Sequence, residues 1–374
     1  MAEAKGRKMA EAKGRKQMKA SSDRRRPPAR LGESVLRAVV LVLAAGVLLS
    51  GCARSGQESG PGQTGEGSRA DLRGTVTADG SSTVFPITEA MAEEFGKENP
   101  NVKVTVGVSG TGGGFKKFCN GETDISNASR PIKKEEIEAC KNSNIEYIEL
   151  AVGYDGLSVL VNRENSWVDK VTVDELKKIW EPAAQGKITR WNQVRPDWPD
   201  KPLTLYGPGT DSGTFDYFTE AIVGKTGDSR GDYTASEDDN VLVQGIAGDK
   251  NAFGYFGFAY YEENADKLKL VPVVNPRTGQ AVLPSEQTIR SGEYYPLSRP
   301  LFIYVRKEAA SRPEVRAFVE FYLSRPDLVR STGYIALSDE LQSRMKKRFA
   351  SGVTGTAYTS EEQKLSGKLE DIYK

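Results

Sequence analysis

Three segments of this chain combine the residue types that hold small anions. Asp79 to Val84 reads DGSSTV, Val108 to Gly114 reads VSGTGGG, and Gly207 to Phe215 reads GPGTDSGTF. Each follows an apolar, strand-like run and opens a helix-like one. A helix N-terminus leaves N–H groups without intrahelical acceptors and carries a partial positive charge, so it favours anions. Glycine lets the backbone approach closely, and Ser/Thr hydroxyls add donors. A fourth segment, Asp124 to Pro131 (DISNASRP), brings Ser129 and Arg130 to the front of another helical run. One such turn is ordinarily an N-cap and nothing more. Three glycine-bearing turns and an arginine-bearing fourth point to an oxyanion site. The run Gly110–Gly114 lacks the Gly-Lys-Ser/Thr ending of a nucleotide phosphate loop.

Composition removes several competing chemistries. The 374 residues include no histidine, which excludes Ser-His-Asp and Cys-His catalysis, histidine metal ligands and histidine pH switching. Ser212 between Asp211 and Gly213 therefore has no histidine base. Three cysteines are too few for a closed cysteine-only zinc site. The expectation is a binding module without cofactor, metal or turnover. Charge is unevenly placed: residues 1–51 carry 12 Lys/Arg against 4 Asp/Glu, and residues 52–374 carry 40 against 47. An acidic body argues against a nucleic-acid partner. It does not argue against an anion site, because short-range donors in a low-dielectric cleft outweigh distant, screened charges.

The first 51 residues read as a targeting segment. The octapeptide MAEAKGRK occurs at 1–8 and again at 9–16, inside a basic stretch. An apolar run from Ala38 to Leu49 follows, short for a membrane span and suited to the h-region of a secretory signal. It ends in Leu49-Ser50-Gly51-Cys52, which resembles a bacterial lipobox with Cys52 as the lipidated residue. Residues 52–73 are rich in Gly, Ser, Gln and Glu and read as a flexible tether. The expected location is the outer face of the cytoplasmic membrane, reached through a lipid anchor. Setting Cys52 aside leaves Cys119 and Cys140, which in an oxidising exterior could bridge or could remain two buried thiols.

The body alternates strands and helices. Strand-like runs lie at 102–108, 145–152, 156–161, 203–206, 268–274 and 301–305. Helical periodicity covers 86–99, with Pro86 in its first turn. Thr172 and Glu175 form a capping box, and Ser311 is placed to cap a helix that contains Pro313. The aromatic stretch Tyr255, Phe256, Phe258, Tyr260 and Tyr261 reads as core. Such alternation gives α/β layers, in which ligands bind where strands end and helices begin.

In order and spacing, SSTVFP (81–86), SGTGGGF (109–115), DISNASRPI (124–132), TDSGTF (210–215) and GYFGFAYY (254–261) resemble the periplasmic phosphate-binding proteins of Pst-type ABC importers, over about residues 74–350. The resemblance implies a type II periplasmic-binding-protein fold: two α/β lobes with two hinge crossings around a ligand cleft. Residues 74–154 and 296–374 would form one lobe and 155–295 the other. It implies a monomeric, lipid-anchored solute-binding protein that captures inorganic phosphate and delivers it to an ABC permease. The ligand positions it implies are Ser82, Thr83, the Val84 amide, Ser109, Thr111, Ser129, Arg130, Ser212, Gly213 and Thr214. Two departures stand out. Arg130 occupies the place of a family aspartate, and Pro208 the place of a family arginine. Arg130 is thus expected to be the principal cation; the competing arrangement is an Arg130 satisfied by a neighbouring glutamate. A carboxylate that accepts the proton of hydrogen phosphate rejects sulfate, and Asp155 and Asp211 are the candidate acceptors. The alternatives are a binding protein for sulfate, molybdate or another oxyanion, and a secreted phosphatase or sensor on the same fold.

Overall fold

The long strand β4 (Tyr147–Asn162) organises the molecule, and all of its residues are buried. Before it come β1 (Gly74–Gly80), α1 (Phe85–Glu98), β2 (Val102–Val108), α2 (Gly110–Cys119), β3 (Ile125–Ala128) and α3 (Lys134–Asn142). After it come β5 (Val171–Thr172), α4 (Val173–Trp180), α5 (Trp191–Val194), β6 (Thr204–Pro208), α6 (Gly213–Phe218), β7 (Thr234–Ser236) and α7 (Asp239–Gly248). Next are β8 (Ala252–Gly257), α8 (Phe258–Glu262), β9 (Leu268–Leu270), β10 (Val273–Val274), β11 (Ala281–Val282) and α9 (Glu286–Arg290). The chain returns through β12 (Ser298–Arg306) to α10 (Pro313–Tyr322), α11 (Pro326–Ser331), β13 (Ile335–Ala336) and α12 (Asp339–Ala350). The structure is a computed structural model that describes residues 72–360, 363 and 368–374. The basic segment, the apolar run, Cys52 and the tether as far as residue 71 lie outside the described residues.

The main sheet runs β2-β1-β3-β12-β4-β8-β6-β7. Strand β1 is parallel to β2 and β3, and β12 is antiparallel to β3 and β4. Strand β4 pairs with β12 through Gly156, then with β8 from Leu157 and with β9 from Leu160. Strands β4 and β12 are thus the two crossings between an α/β lobe built on β1–β3 and one built on β6–β8. Two of the polar residues that β4 buries, Glu149 and Asn162, are paired on both sides of the crossing. Glu149 accepts from the hydroxyls of Tyr304 and Tyr373, both at 2.8 Å, and from the Ala357 amide at 2.9 Å. Asn162 donates to the carbonyls of Ile246 and Ala247 at 2.9 and 2.7 Å.

Several boundaries differ from the sequence reading for local reasons. The runs 145–152 and 156–161 are one strand, because Gly153 and Gly156 stay extended against β12 and β4 takes up the register shift at Leu301/Phe302 as a bulge at Val152. The run 268–274 is instead two short strands, split where Pro272 has no N–H to donate. Ser311 does not cap α10: its hydroxyl donates back to the Glu308 carbonyl at 2.6 Å, and Arg312 holds the N-cap position before Pro313. The Thr172/Glu175 capping box forms, with Glu175 N–H donating to the Thr172 hydroxyl at 3.1 Å and Thr172 N–H to the Glu175 carboxylate at 2.9 Å. Cys119 at the end of α2 and Cys140 in α3 form a disulfide, with Cα atoms 4.3 Å apart. Tyr255, Phe256 and Phe258 are core residues, while Tyr260 and Tyr261 are half-buried.

Candidate functional site

The ends of β1 and β2 place two of the polar turns side by side. After β1, the Ser81 amide donates to the Asn127 carbonyl at 3.0 Å, and the turn runs straight into α1, whose N-cap is the fully buried Val84. After β2, the Ser109 amide donates to the Gly80 carbonyl at 3.1 Å and α2 begins. The glycines of this second turn answer a packing demand: a Cβ at Gly114 would stand 2.5 Å from Gly80 Cα. The Ser109 hydroxyl donates to Asp79, which also pairs with Lys117 at 2.6 Å, so Ser109 braces the turn. The DISNASRP segment forms β3 and the turn beyond it. Asp124 there accepts from Thr77, Arg306 and Arg312 and ties strand ends together.

These turns and the second crossing strand enclose a cavity of about 280 Å3. Its walls carry Ser82, Thr83, Thr111, Ser129 and Arg130, together with Lys133, Asp216, Glu220 and Arg299. The Thr111 and Ser129 hydroxyls lie 3.1 Å apart, and the Ser129 amide donates to the Thr111 hydroxyl at 3.2 Å. Arg130 makes two parallel bonds to Glu136, at 2.9 and 2.7 Å, and its side chain is 26% exposed. The arrangement is therefore the neighbouring-glutamate one, with Arg130 still on the cavity wall.

Arg299 on β12 is the more deeply set cation, 13% exposed. It donates to the Thr83 hydroxyl at 2.8 Å and to the Asp155 carboxylate at 3.3 Å, and its guanidinium lies 3.5 Å over the Tyr217 ring. Burial holds the Asp155 carboxyl above the usual carboxylate range, while Arg299 pulls it the other way. One side chain thus touches both crossing strands and both lobes. The sequence reading did not single it out. Its signal was there, in Ser298-Arg299-Pro300, a charged residue just ahead of the apolar run Leu301 to Val305.

The third turn faces elsewhere. Asp155, Asp211, Ser212, Gly213 and Thr214 line a separate cavity of about 410 Å3, together with Glu237 and Asp239. Ser212 caps α6 by accepting from the Thr214 amide at 3.1 Å. Asp211 is exposed, and its amide donates to Glu237 at 3.3 Å. Burial, with Asp238 and Glu237 nearby, pushes Asp239 up to about 7. Between the cavities the lobes touch: the Thr83 hydroxyl donates to the Gly213 carbonyl at 3.4 Å, and Ser82 to Asp216 at 2.9 Å. A Cβ at Gly213 would stand 2.8 Å from Thr83 Cα, so only glycine permits this contact. The structure thus brings Ser82, Thr83, Thr111, Ser129 and Arg130 together and sets Ser212, Gly213 and Thr214 behind the contact.

Comparison with known proteins agrees with this architecture. Residues 65–326 match the PBP superfamily domain. Protein SphX of Synechococcus elongatus is 55% identical over 303 residues, covering 81% of this chain and 89% of that protein. Phosphate-binding protein PstS of Staphylococcus saprophyticus is 40% identical over 298 residues, covering 79% and 88%. The chain belongs to the PstS-type phosphate-binding family. Among solved structures, a possible phosphate binding protein from Planctomyces limnophilus shares 48% identity at a TM-score of 0.73, covering 75% of this chain and 99% of that one. PstS of Borrelia burgdorferi shares 26% identity at a TM-score of 0.53, covering 71% and 99%. The two lobes with crossings at β4 and β12 are the type II periplasmic-binding-protein fold. The PstS-type family is one of extracytoplasmic transport receptors, not of enzymes.

Proposed function

We propose that this protein captures inorganic phosphate and delivers it to an ABC permease. The observation that carries the reading is the cavity where the Thr111 and Ser129 hydroxyls meet the guanidinium groups of Arg130 and Arg299. Charge-assisted bonds from guanidinium to a dianion are the strongest such a cleft can offer. Hydrogen phosphate, unlike sulfate, brings a proton that needs an acceptor. Asp216 and Glu220 are the carboxylates on the cavity wall. Asp155 acts from behind Arg299, and Asp211 faces the neighbouring cavity. In this reading Asp216, which accepts from the Ser82 hydroxyl at 2.9 Å, is the acceptor. Cys52 carries the lipid that holds the monomeric receptor at the outer face of the cytoplasmic membrane, the tether giving it reach.

Competition calorimetry tests the ligand. Phosphate should bind, and a hundredfold excess of sulfate should leave its apparent affinity within a few fold. Equal displacement by sulfate would replace the phosphate reading with a general oxyanion one. Mass spectrometry of membrane-extracted protein tests the anchor, which an intact segment 1–51 would refute.

A further inference from the structure

The helix that follows the third polar turn does not end as an α-helix. After α6 the chain makes one π-helical turn, Thr219–Val223, in which the Gly224 amide donates five residues back to the Thr219 carbonyl at 3.0 Å. Such turns are rare and gather at functional sites. Thr219 is fully buried and holds this one in place. Its hydroxyl donates to the Phe215 carbonyl at 2.8 Å and accepts from the Gly227 amide at 2.9 Å. The next residue, Glu220, lines the anion cavity.

Glu220 stands at one particular atom of Arg299. The guanidinium Nε donates to the Asp155 carboxylate at 3.3 Å, and Nη2 donates to the same carboxylate at 3.3 Å and to the Thr83 hydroxyl at 2.8 Å. The remaining nitrogen, Nη1, faces Glu220 Oε2 at 3.7 Å, an ion-pair distance too long for a hydrogen bond. Nη1 is therefore the nitrogen best able to bond an incoming anion, and a carboxylate already stands beside it. The carboxylate on Arg130 is of another kind. Glu136 is 16% exposed and holds both terminal nitrogens, at 2.9 and 2.7 Å, whereas Glu220 is 57% exposed. An exposed, long ion pair contributes little and yields to a stronger partner.

We propose that Glu220 is an internal counter-anion, which competes with phosphate for Arg299 Nη1 and so sets how tightly the site holds its ligand. The inference rests on the anion reading given above. Before phosphate arrives, Glu220 balances the face of Arg299 that Asp155 and Thr83 leave outward. A phosphate oxygen takes Nη1 through a charge-assisted bond, and the Glu220 side chain turns out into solvent. Its charge stays at the rim and opposes the bound dianion. The site therefore holds phosphate less tightly than its donors alone would, which suits a receptor that must hand its ligand on.

Calorimetry of the purified full chain with inorganic phosphate tests it. Glu220→Gln keeps the shape and removes the charge, so it should tighten phosphate about three- to fivefold. Glu220→Asp keeps the charge and draws it back by one methylene, and it should give most of the same gain. Arg299→Lys leaves Asp155 its cation but has no second terminal nitrogen to offer. In that background Glu220→Gln should change affinity by less than about twofold. A Glu220→Asp variant that binds like wild type, beside a tighter Glu220→Gln, would reduce the effect to distant charge and overturn the contact. So would a gain that survives Arg299→Lys intact. Affinity unchanged by Glu220→Gln would leave an ordinary surface pair, and weakened affinity would make Glu220 a group that bonds phosphate; either result overturns the proposal and leaves the anion reading standing. Wild-type protein silent to phosphate would overturn the anion reading, and this inference with it.

Discussion

The two cavities on either side of the Thr83–Gly213 contact are built from the same kind of turn and have opposite electrostatic character. One gathers three cations, Arg130, Lys133 and Arg299, against two carboxylates, Asp216 and Glu220, beside the hydroxyls of Thr111 and Ser129. The other gathers Asp155, Asp211, Glu237 and Asp239 beside those of Ser212 and Thr214. A hydroxyl-rich turn before a helix supplies neutral donors wherever it occurs. The sign of the site is set by charged side chains that arrive from other elements, here β12 and the turn after β3. The third turn has a good N-cap and a close glycine contact, and its neighbours are still acids.

The largest expected effect breaks that contrast at its centre. Arg299→Ala should weaken phosphate binding at least a hundredfold, because a desolvated dianion loses a charge-assisted partner. Removing one member of a buried ion pair also destabilises the fold, since Asp155 would be left without its cation. The double variant Arg299→Ala/Asp155→Asn removes both charges and should stay folded by circular dichroism while still losing affinity. A loss of less than about fivefold in that variant would move the principal cation elsewhere.

Arg130→Ala should cost about tenfold, less than Arg299, because its fork is already shared with Glu136. Glu136→Gln frees that fork and should tighten binding a few fold. Tightening that disappears when Arg130 is also alanine would tie the effect to this pair. Thr111→Ala removes one neutral donor and should cost about three- to tenfold, whereas Ser212→Ala should leave affinity within twofold and lower stability by about 1 kcal/mol through its lost cap.

This ranking shows what could be read from the residues and what could not. The alternation of strands and helices and the polar, glycine-bearing turns before helices rest on local patterns, and the sequence carries local patterns openly; the Cys119–Cys140 bridge followed only as one of two outcomes from the cysteine count. Arg299 lies 216 positions from Thr83, whose hydroxyl it holds. No spacing rule connects them; only the antiparallel return of β12 across β4 does. The same limit applies to Ser212 and Gly213. Their motif is legible, but which side of the interlobe contact they face depends on how α6 packs against the Thr83 backbone. Arg130 was legible as a cation near the site. Its partnership with Glu136 was open from the sequence, because an arginine before a helix can turn inward or cap the acidic first turn, and here it does both.

The smallest effect sharpens the comparison through pH. Asp239 belongs to the acidic cavity, and its folded-state pKa of about 7 lies above the ordinary carboxylate value. Between the two values the folded protein binds more protons than the unfolded chain, so stability falls as pH rises through about 7. The wild-type melting temperature should therefore drop between pH 6 and pH 8. Asp239→Asn cannot ionise, and its melting temperature should drop less over that interval, by on the order of 2–4 °C. Phosphate affinity should be unchanged within twofold at both pH values, because Asp239 does not line the cavity that holds Arg130 and Arg299. A variant that melts with the wild-type pH dependence would refute the assignment to Asp239. A variant that gains phosphate affinity would show that the acids opposite are felt across the Thr83–Gly213 contact, and the two cavities would then have to be treated as one electrostatic site.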